Sequence, residues 1–531
     1  MNKKIICLGI VSIFLFSSFA FLAGANKTKI HLLEQKKEFE ISNKIKSYDD
    51  GSWNKSFGGK KNDDLWYIEQ TSDSGFIISG YTNSYGAGDL DGWVIKTDEY
   101  GNEVWSKTFG GPYEDGVAKV KETVDNGYIL VGYTTSYGAG SSDIWVIKID
   151  GNGNELWNKT FGESNWDWGI NIEQVSDGGF IFVGNSYITY PSGGYDYFIR
   201  LIKLDENGNE EWNKTLGKKN EKFICYALQI TNEEEYMLLC SNIYSKLVLL
   251  KTDNLGNKIL EKGIAIEHID HYIGSLKITS DGYIISGGMY SDKDAYLIKT
   301  DFEGNVQWNK IFEITRYRYI LTDAVETDDG GYIVSGYTSL SYADRPYNFY
   351  LWLLKFSHNG EYMWSKTYGS KGESGYQVRQ TNDGGYVVVG YTISNSAGGC
   401  DGWLLKQEKI TGLAPKIPSK PCMEGNIFNT TTTDPEGDRV KYFFYWGDGS
   451  STWTELVESG QTVEVEHTWQ SELPSYLVKV KAVDENGLES EWSDELLVPH
   501  SRDMQLYKSL FSKLIDLFPR FEKIYQRLLN L

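Results

Sequence analysis

Short apolar runs recur along the chain, with polar turns between them. Each unit reads G-N-x-x-W-[NS]-K-[TS]-F-G, then D-G-G-Y-I-x-x-G-Y-T, then D-G-W-[VL]-[IL]-K-T-D. Runs such as 332–337 are almost continuously apolar, which is typical of strands buried on both faces of a sheet. Asp-Gly-Gly segments such as 177–179 supply the positive φ values that tight hairpins need. The pattern therefore predicts short β-strands joined by tight turns.

The unit occurs seven times, and its spacing decides the fold class. Successive copies of the first part lie 48 to 56 residues apart, and a fourth apolar run precedes each D-G-G-Y turn. Four short strands in a unit of about 50 residues are typical of a β-propeller blade. We therefore predict an all-β chain with a seven-bladed β-propeller over residues 49–408. The first part is centred on Trp53, Trp105, Trp157, Trp212, Leu260, Trp308 and Trp364, and the third part carries Lys96, Lys148, Lys203, Lys251, Lys299, Lys355 and Lys406.

The phase of the repeat predicts how the ring closes. The chain enters the repeat with an isolated first-part strand at 52–58, and it leaves after Lys406 without a matching strand. The strand count balances only if 52–58 pairs with the last blade. Closure of this kind removes the open sheet edges that promote aggregation.

These units resemble the secreted propeller repeats, with D-G-G-Y and W-x-K-x-F-G signatures, of prokaryotic extracellular proteins. The resemblance covers residues 49–408 and implies the propeller architecture. It does not choose a function, because propellers of this kind host binding, scaffolding and enzymatic roles.

Residues 1–25 have the layout of a secretory signal peptide. Lys3 and Lys4 precede an apolar run over 5–22, and the small residues at 23–25 fit a cleavage site. Since about 18–20 apolar residues can just span a bilayer, an uncleaved N-terminal membrane anchor is the alternative. Both interpretations predict an extracellular or cell-surface location. Residues 26–48 are polar and are interpreted as a spacer.

A second domain follows the propeller. Prolines at 415, 418 and 421 mark residues 409–421 as a linker, and residues 422–498 contain short alternating strands that predict an immunoglobulin-like β-sandwich. The W-G-D-G-S turn at 446–450, the H-T-W strand at 467–469 and the V-K-V-K-A-V-D strand at 478–484 resemble a polycystic-kidney-disease (PKD) domain. That resemblance implies an extracellular spacer or binding module.

The tail, 499–531, has apolar residues at steps of three and four, which predicts a short amphipathic helix with a kink or a second start at Pro519. Its charged residues are mostly basic. A basic amphipathic helix can dock on an anionic membrane or on envelope material. Recruitment of a partner and docking back on the sandwich are the alternatives.

Composition, net charge and motif content exclude several classes of function. Hydrophobic residues make up 40% of the 531 residues and charged residues 24%, which is typical of a globular protein. The net charge of −21 argues against a nucleic-acid partner, which needs a large basic face. The sequence contains no G-x-S-x-G, H-E-x-x-H or G-x-x-x-x-G-K-[ST] motif and no complete G-x-G-x-x-G fingerprint. We therefore predict no catalytic residue and no bound cofactor.

Oxygen ligands at calcium-like spacing occur once in the predicted sandwich. Asp434, Glu436 and Asp438 alternate along one turn and are weak candidates for a structural Ca²⁺ site, with plain turn structure as the default. The repeated aspartates of the propeller are interpreted as hydrogen-bonding their own tight turns. These repeated residues are Asp91, Asp143, Asp196, Asp294 and Asp401.

Two cysteine pairs are candidate disulfides, since secretion permits such bonds. Cys225 and Cys240 flank the turn at 232–235 symmetrically, so we expect them to face each other on adjacent strands. Cys400 and Cys422 could join the last blade to the linker. Free thiols are the alternative in both cases.

These observations favour a non-catalytic extracellular or cell-surface binding or adhesion scaffold, with a glycan or a cell-surface protein as its partner. Membrane or envelope association would come from the N-terminal segment or the C-terminal helix. The alternative is a secreted propeller enzyme, either a polysaccharide lyase or hydrolase or a quinone-dependent dehydrogenase. A non-repeated cluster of charged residues converging on the propeller axis would distinguish the two.

Overall fold

The structure is a computed structural model, and it describes residues 52–190, 194–217, 223–242, 246–264, 271–289, 295–312, 318–339, 349–369, 372–394, 396–469 and 473–499. The predicted N-terminal segment, the spacer and the C-terminal helix from residue 500 onward lie outside them. All regular structure in these ranges is β-strand, so the all-β prediction is confirmed. Among these residues we find no helical segment long and apolar enough to span a bilayer.

The first three blades are four-stranded antiparallel sheets. Strand β1 (Trp53–Phe57) comes before them in the chain and belongs to the last blade. Blade 1 is β2 (Asp63–Gln70), β3 (Phe76–Thr82), β4 (Asp91–Thr97) and β5 (Glu103–Phe109); blade 2 is β6 (Asp115–Glu122), β7 (Tyr128–Thr134), β8 (Asp143–Ile149) and β9 (Glu155–Phe161); blade 3 is β10 (Trp166–Gln174), β11 (Phe180–Thr189), β12 (Tyr195–Leu204) and β13 (Glu210–Leu216).

The next four blades repeat this arrangement. Blade 4 is β14 (Ile224–Ile230), β15 (Tyr236–Ser241), β16 (Leu247–Thr252) and β17 (Lys258–Ile264); blade 5 is β18 (His271–Thr279), β19 (Gly282–Met289), β20 (Ala295–Thr300) and β21 (Val306–Phe312); blade 6 is β22 (Arg318–Glu326), β23 (Tyr332–Ser339), β24 (Phe349–Phe356) and β25 (Tyr362–Tyr368); blade 7 is β26 (Glu373–Gln380), β27 (Tyr386–Thr392) and β28 (Asp401–Gln407), with β1 as its outer strand.

Blade 7 is completed by the first strand of the propeller. Strand β1 pairs antiparallel with β28, with Trp53 opposite Lys406 and Phe57 opposite Gly402. The prediction that residues 52–58 close the ring is therefore confirmed. An apolar cluster that includes Leu65 of blade 1 and Val389 of blade 7 fills the junction between these blades.

A lysine and an acidic residue stabilise each blade in the same way. The lysine at the end of the third strand is largely buried, and its ammonium group reaches back to the D-G-G-Y turn of its own blade, as in the 2.8 Å contact between Lys406 and Asp383. These ion pairs explain why the lysine recurs in every unit. They are Lys96–Asp73, Lys148–Asp125, Lys203–Asp177, Lys251–Glu235, Lys299–Asp281, Lys355–Asp329 and Lys406–Asp383.

The sandwich has one three-stranded and one four-stranded sheet, in the orders β29-β30-β33 and β32-β31-β34-β35. Trp446 is fully buried in its core, where its ring stacks on His467 with centroids 4.2 Å apart. Trp469 Nε1 donates to the carbonyl of Trp446 at 2.8 Å. The strands are β29 (Cys422–Glu424), β30 (Ile427–Thr430), β31 (Val440–Tyr445), β32 (Ser451–Trp453), β33 (Val463–Glu466), β34 (Ser475–Asp484) and β35 (Leu496–Pro499).

The sandwich packs against the outer strand of blade 6. The backbone N–H of Glu489 donates to the carbonyl of Ser365 at 2.9 Å, and the hydroxyl of Tyr362 donates to the carbonyl of Glu489. Leu488 joins the apolar cluster of blades 6 and 7. The sandwich therefore contacts the side of the propeller and leaves the ends of its axis uncovered by these contacts.

Candidate functional site

The first strand of each blade lies at the propeller axis, because these strands contact their equivalents in the neighbouring blades. Each carries a β-bulge at the same place, for example between Leu65 and Tyr67 in β2. Gly80 opposes this bulge so closely that a Cβ there would lie 2.0 Å from the carbonyl oxygen of Asp64. Bulges re-aim side chains and are frequent beside functional sites. The extra residue is Trp66, Ala118, Ile170, Tyr226, Gly274, Thr322 or Tyr376 in blades 1 to 7.

The two ends of the axis differ. We call the end with the D-G-G-Y turns, such as 71–75, the turn face. The opposite end carries the loops that precede the first strand and follow the second strand of a blade, such as 58–62 and 83–90, and we call it the loop face. Each first strand runs from the loop face to the turn face.

Charged side chains that differ between the blades converge on the axis toward the turn face. Lys119 Nζ lies 2.5 Å from Glu173 Oε1 and also donates to Asn171 Oδ1. Lys121 Nζ lies 2.6 Å from Glu69 Oε2 and 3.5 Å from Glu173 Oε2. The first strands of blades 1, 2 and 3 are thus joined by one ion-pair network.

A second network continues around the axis through blades 5, 6, 7 and 1. Arg379 Nη1 donates to Asp323 Oδ2 at 2.5 Å, and Lys277 Nζ lies 3.9 Å from Asp323 Oδ1. The guanidinium carbon of Arg379 lies 5.4 Å from the ring centroid of Tyr67, and Lys119 Nζ lies 5.2 Å from the same centroid. The feature expected of an enzyme rather than a scaffold, a non-repeated charged cluster on the axis, is therefore present in the fold.

We call the charged residues of the two networks the axial cluster; they are Glu69, Lys119, Lys121, Glu173, Lys277, Asp323 and Arg379. Burial and ion pairing set their protonation states. Burial lowers the pKa of Lys119, against the opposing effect of Glu173. Burial opposes ionisation of Glu173, but Lys119 and Lys121 outweigh it and lower the pKa of that carboxyl. Burial, with the positive charge of Arg379, lowers the pKa of Lys277 to about 7. Lys277 is therefore a cation of the cluster that loses its proton near neutral pH.

A cleft of about 450 Å³ lies on the turn face between blades 3 and 4. It is lined by Lys121 and Glu173 of the axial cluster and by polar residues of the two neighbouring turns, including Ser176 and Asn232. Its walls are mostly polar. Binding pockets for drug-sized ligands are mostly apolar, so this cleft is a poor match for them.

The loop-face end of the axis is aromatic and carries the buried carboxyl of Asp64. Asp64 is 5% exposed, and its Oδ2 accepts a hydrogen bond from the hydroxyl of Tyr376 at 3.3 Å. The ring of Trp66 meets that of Tyr81 edge to face, with centroids 5.1 Å apart. Burial raises the pKa of Asp64 to about 7, against hydrogen bonding from Trp66 and Tyr376. This carboxyl is therefore partly protonated at neutral pH.

Exposed tyrosine rings lie on the same face of the propeller. Four of the seven exposed aromatic residues in the described ranges lie on the loop face of blades 1 to 3, at positions 85, 113, 137 and 195. The hydroxyl of Tyr85 donates to the carbonyl of Gly58 at 2.8 Å, and that of Tyr137 donates to the carbonyl of Gly110 at 3.1 Å. Both rings also pack on a tryptophan, so they are exposed and held in place.

The three residues of the predicted calcium site form a turn. The backbone N–H groups of Glu436 and Asp438 both donate to Asp434 Oδ1 at 3.0 Å. The side chains of Asp438 and Glu436 accept hydrogen bonds from Asn486 and from the backbone of Leu413. Within the described ranges, no group of three or more His, Cys, Asp or Glu residues could hold a metal ion. Calcium binding at this turn stays a prediction.

The cysteine pairs differ in geometry. Cys225 and Cys240 are directly opposite each other on β14 and β15 and are fully buried, so the expected juxtaposition is confirmed. Burial, followed by the negative charge of Asp64, raises the pKa of the Cys400 thiol to about 12. Cys422 is exposed in β29. All four are free thiols here, and both disulfides stay predictions.

The repeated aspartates do bond to their own turns where they are described. Asp91 Oδ2 accepts from the backbone N–H of Gly88 at 2.9 Å, and Asp401 Oδ2 accepts from that of Ala397 at 2.9 Å. Asp294 lies outside the described residues.

The repeat pattern did not predict the axial residues. The pattern is defined by positions that the seven units share, whereas the axial residues occupy positions at which the units differ. A usable signal existed: in the fourth apolar run, the residues at 64, 67 and 69 and their equivalents change type from unit to unit within an otherwise regular repeat.

No protein-family model and no curated protein sequence matches this chain. The sandwich is similar to the PKD domain of an M14-like peptidase from Thermoplasmatales archaeon SCGC AB-540-F20, at 35% identity over 16% of this chain and 94% of that chain, with a TM-score of 0.15. The chain is also similar to extracellular domains 1-2 of Drosophila semaphorin 1a, at 8% identity over 67% of this chain and 88% of that chain, with a TM-score of 0.39.

A third similar structure is the WD40 domain of SCAP from fission yeast, at 7% identity over 72% of this chain and 93% of that chain, with a TM-score of 0.34. These similarities assign no activity and no ligand to this chain. The chain consists of a seven-bladed β-propeller followed by a β-sandwich that is similar to a PKD domain.

Proposed function

We propose that this chain is a non-catalytic extracellular or cell-surface binding protein that presents the loop face of its propeller to a glycan or a cell-surface protein. The observation that carries the proposal is the set of fixed, exposed tyrosine rings on blades 1 to 3. Such rings give a large amphipathic contact area and lose little conformational entropy on binding. The scaffold beneath them is a closed ring, which keeps the rings at fixed separations.

The pairing of the axial charges supports a non-catalytic role. Lys119 and Lys121 contact Glu173, and Arg379 contacts Asp323, so these groups are committed to each other. A general acid or base must instead reach the proton that it transfers on the substrate.

Location and attachment belong to the same proposal. Export by the segment 1–25 would place the propeller outside the cell, and retention of that segment would tether it to the membrane. The basic tail, 499–531, is the other candidate for attachment to the membrane or envelope. Deleting 501–531 and fractionating cells tests the tail, since an unchanged envelope fraction with a cleaved signal peptide would contradict its role.

The test of binding is a glycan array and a cell-surface binding assay with the full chain. We expect binding that falls at least tenfold when Tyr85, Tyr113 and Tyr137 are changed together to alanine. Tyr100→Ala is the matched control, because Tyr100 is equally exposed but lies on the turn face. Equal losses for the triple variant and the control would contradict a loop-face site.

An enzyme is the second candidate function, favoured by the convergence of charges on the axis. Lys277, with a pKa of about 7, would be its most suitable general base. The substrate classes are those expected from the sequence, a polysaccharide for a lyase or hydrolase, or a quinone for a dehydrogenase. We expect no turnover of either class. Turnover that is lost in Lys277→Met would reverse the ranking.

A further inference from the structure

The loop-face end of the axis holds several buried polar atoms whose hydrogen-bonding capacity is unused. Asp64 Oδ1, Ser374 Oγ, Trp66 Nε1 and Trp168 Nε1 are all buried, and none makes a hydrogen bond of ordinary geometry among the described residues, although the indole of Trp66 lies close enough to the carboxyl of Asp64 to lower its pKa. Asp64 and Ser374 are themselves 5% and 2% exposed. We call these four residues, together with Tyr376, the axial mouth.

The four residues lie together because of the blade geometry. Asp64, Trp168 and Ser374 occupy the same position of the first strand in blades 1, 3 and 7, two residues before the bulge residue. Trp66 is the bulge residue that follows Asp64. Equivalent positions of first strands lie at one level around a propeller axis, and the hydroxyl of Tyr376 in blade 7 reaches Asp64 of blade 1 at 3.3 Å, so groups of neighbouring blades meet at this level.

Unused buried polar atoms are costly and therefore informative. More than nine in ten buried polar groups in proteins are paired, and an unpaired one destabilises the folded state. One such atom could reflect local packing, but three such groups at one level of the first strands, with Trp66 two residues beyond Asp64, indicate a site that a polar ligand completes. Strained or unsatisfied groups of this kind are common where function opposes stability.

The walls of the axial mouth are aromatic. Besides the Trp66–Tyr81 contact, Tyr376 packs on Tyr391 with centroids 5.9 Å apart, and Trp168 packs on Tyr197 at 6.3 Å. Aromatic rings offer apolar faces to a ligand ring and leave the polar atoms to bind at its edge. Ligand sites typically combine such walls with a few placed polar groups.

We propose that the axial mouth binds one neutral sugar residue of a glycan, an assignment that rests on the proposed binding function. Two indole N–H groups donate to sugar oxygens, the carboxyl of Asp64 accepts from a sugar hydroxyl, and the hydroxyl of Ser374 does either. An ammonium ligand would leave both indole donors unpaired. An anionic sugar would oppose Asp64.

The exposed tyrosine rings of the loop face and the axial mouth then have separate roles in binding. Tyr85, Tyr113 and Tyr137 hold neighbouring residues of the glycan by their ring faces, and the mouth selects one residue by hydrogen bonds. A buried polar site of this kind discriminates strongly, because a ligand without the matching hydroxyl leaves the site's groups unpaired.

The experiment uses the full chain and a panel of methyl glycosides of neutral hexoses and N-acetylhexosamines, with binding measured by saturation-transfer NMR and calorimetry. We expect at least one methyl glycoside to bind, with affinity that falls about tenfold in Ser374→Ala. Because the hydroxyl of Ser374 has no partner among the described residues, this variant should keep the melting temperature of the parent.

Ser286→Ala is the matched control. Ser286 is also a fully buried serine of the propeller, but its hydroxyl is hydrogen-bonded to that of Ser275 at 3.1 Å. We expect this variant to melt at a lower temperature and to bind the methyl glycoside with unchanged affinity.

The outcomes separate this inference from the proposed function. If glycans bind the full chain but no methyl glycoside does, or if affinity is the same in Ser374→Ala, the axial mouth is not the sugar site and the binding function stands. A mouth that holds only ordered water would give that result. Binding to cell surfaces that is lost after protease treatment of the cells would identify a protein partner and overturn the sugar assignment. Absence of all glycan and cell-surface binding would overturn the proposed function itself.

Discussion

Replacing Asp64 with asparagine should stabilise the protein at neutral and alkaline pH. Asp64 is 5% exposed, and burial raises its pKa from 3.8 to about 7, with a smaller contribution from the neighbouring Asp63. Asparagine keeps the shape of the protonated side chain and carries no charge at any pH. The variant therefore removes the unfavourable ionisation and leaves the aromatic surroundings in place.

The sign and size of the effect follow from the two pKa values. The unfolded chain ionises Asp64 near pH 3.8, while the folded protein keeps it protonated up to about pH 7, so the wild-type protein loses stability as the pH rises through this interval. A difference of about three pH units corresponds to about 4 kcal/mol, at 1.36 kcal/mol per unit. The advantage of Asp64→Asn should thus be small at pH 4, grow up to pH 7 and stay constant above it.

Urea denaturation at pH 4, 5, 6, 7 and 8 measures this difference directly. Asp63→Asn is the control, since Asp63 is fully buried but accepts hydrogen bonds from the hydroxyl of Ser84 at 2.6 Å and from the backbone of Gly59 at 2.8 Å. The control should destabilise the protein throughout the range. Parallel curves for Asp64→Asn and the wild type would refute a buried, proton-binding Asp64.

Three further predictions concern the scaffold. Deleting residues 52–58 should cause aggregation or a large fall in melting temperature, because it opens the β1–β28 edge; a truncated protein that melts like the full chain would contradict ring closure. Lys299→Ala should lower the free energy of unfolding by about 1–3 kcal/mol, since it removes a buried ammonium group bonded to Asp281; an unchanged value in urea denaturation would show that this repeated pair is dispensable. Thiol counting under denaturing, non-reducing conditions should find Cys225 and Cys240 joined in secreted protein, because directly opposed residues on antiparallel strands lie within disulfide range; two free thiols at these positions would contradict the bond.

The scaffold was predictable because each blade repeats the same physical solution. The apolar runs, the Asp-Gly-Gly turns and the count of seven decided the strands, and the phase of the repeat placed residues 52–58 beside β28. The symmetrical spacing of Cys225 and Cys240 around their turn also decided their register. In each case the regular spacing of the repeat or of a turn fixes the contact.

The axial residues could not be predicted in the same way. Lys119 and Lys121 both face the axis because a bulge precedes them in the first strand, and a one-residue shift there would move both side chains to the other face. The partners also come from different blades, so contacts such as Arg379 with Asp323 span residues that no local pattern relates. The contact of Glu489 with blade 6 joins two domains and was equally hidden.

Hydrogen–deuterium exchange of the full chain, with and without a glycan or cell-surface fraction that it binds, shows which face of the propeller holds the binding surface. We expect slower exchange in the loop-face segments that contain the tyrosine rings and the start of the axial mouth, which are 58–64, 83–90, 110–116 and 135–142. Exchange in the turn-face segments 98–102 and 150–154 should not change. Protection confined to the turn face or to the sandwich, 422–498, would contradict a binding surface on the loop face of the propeller.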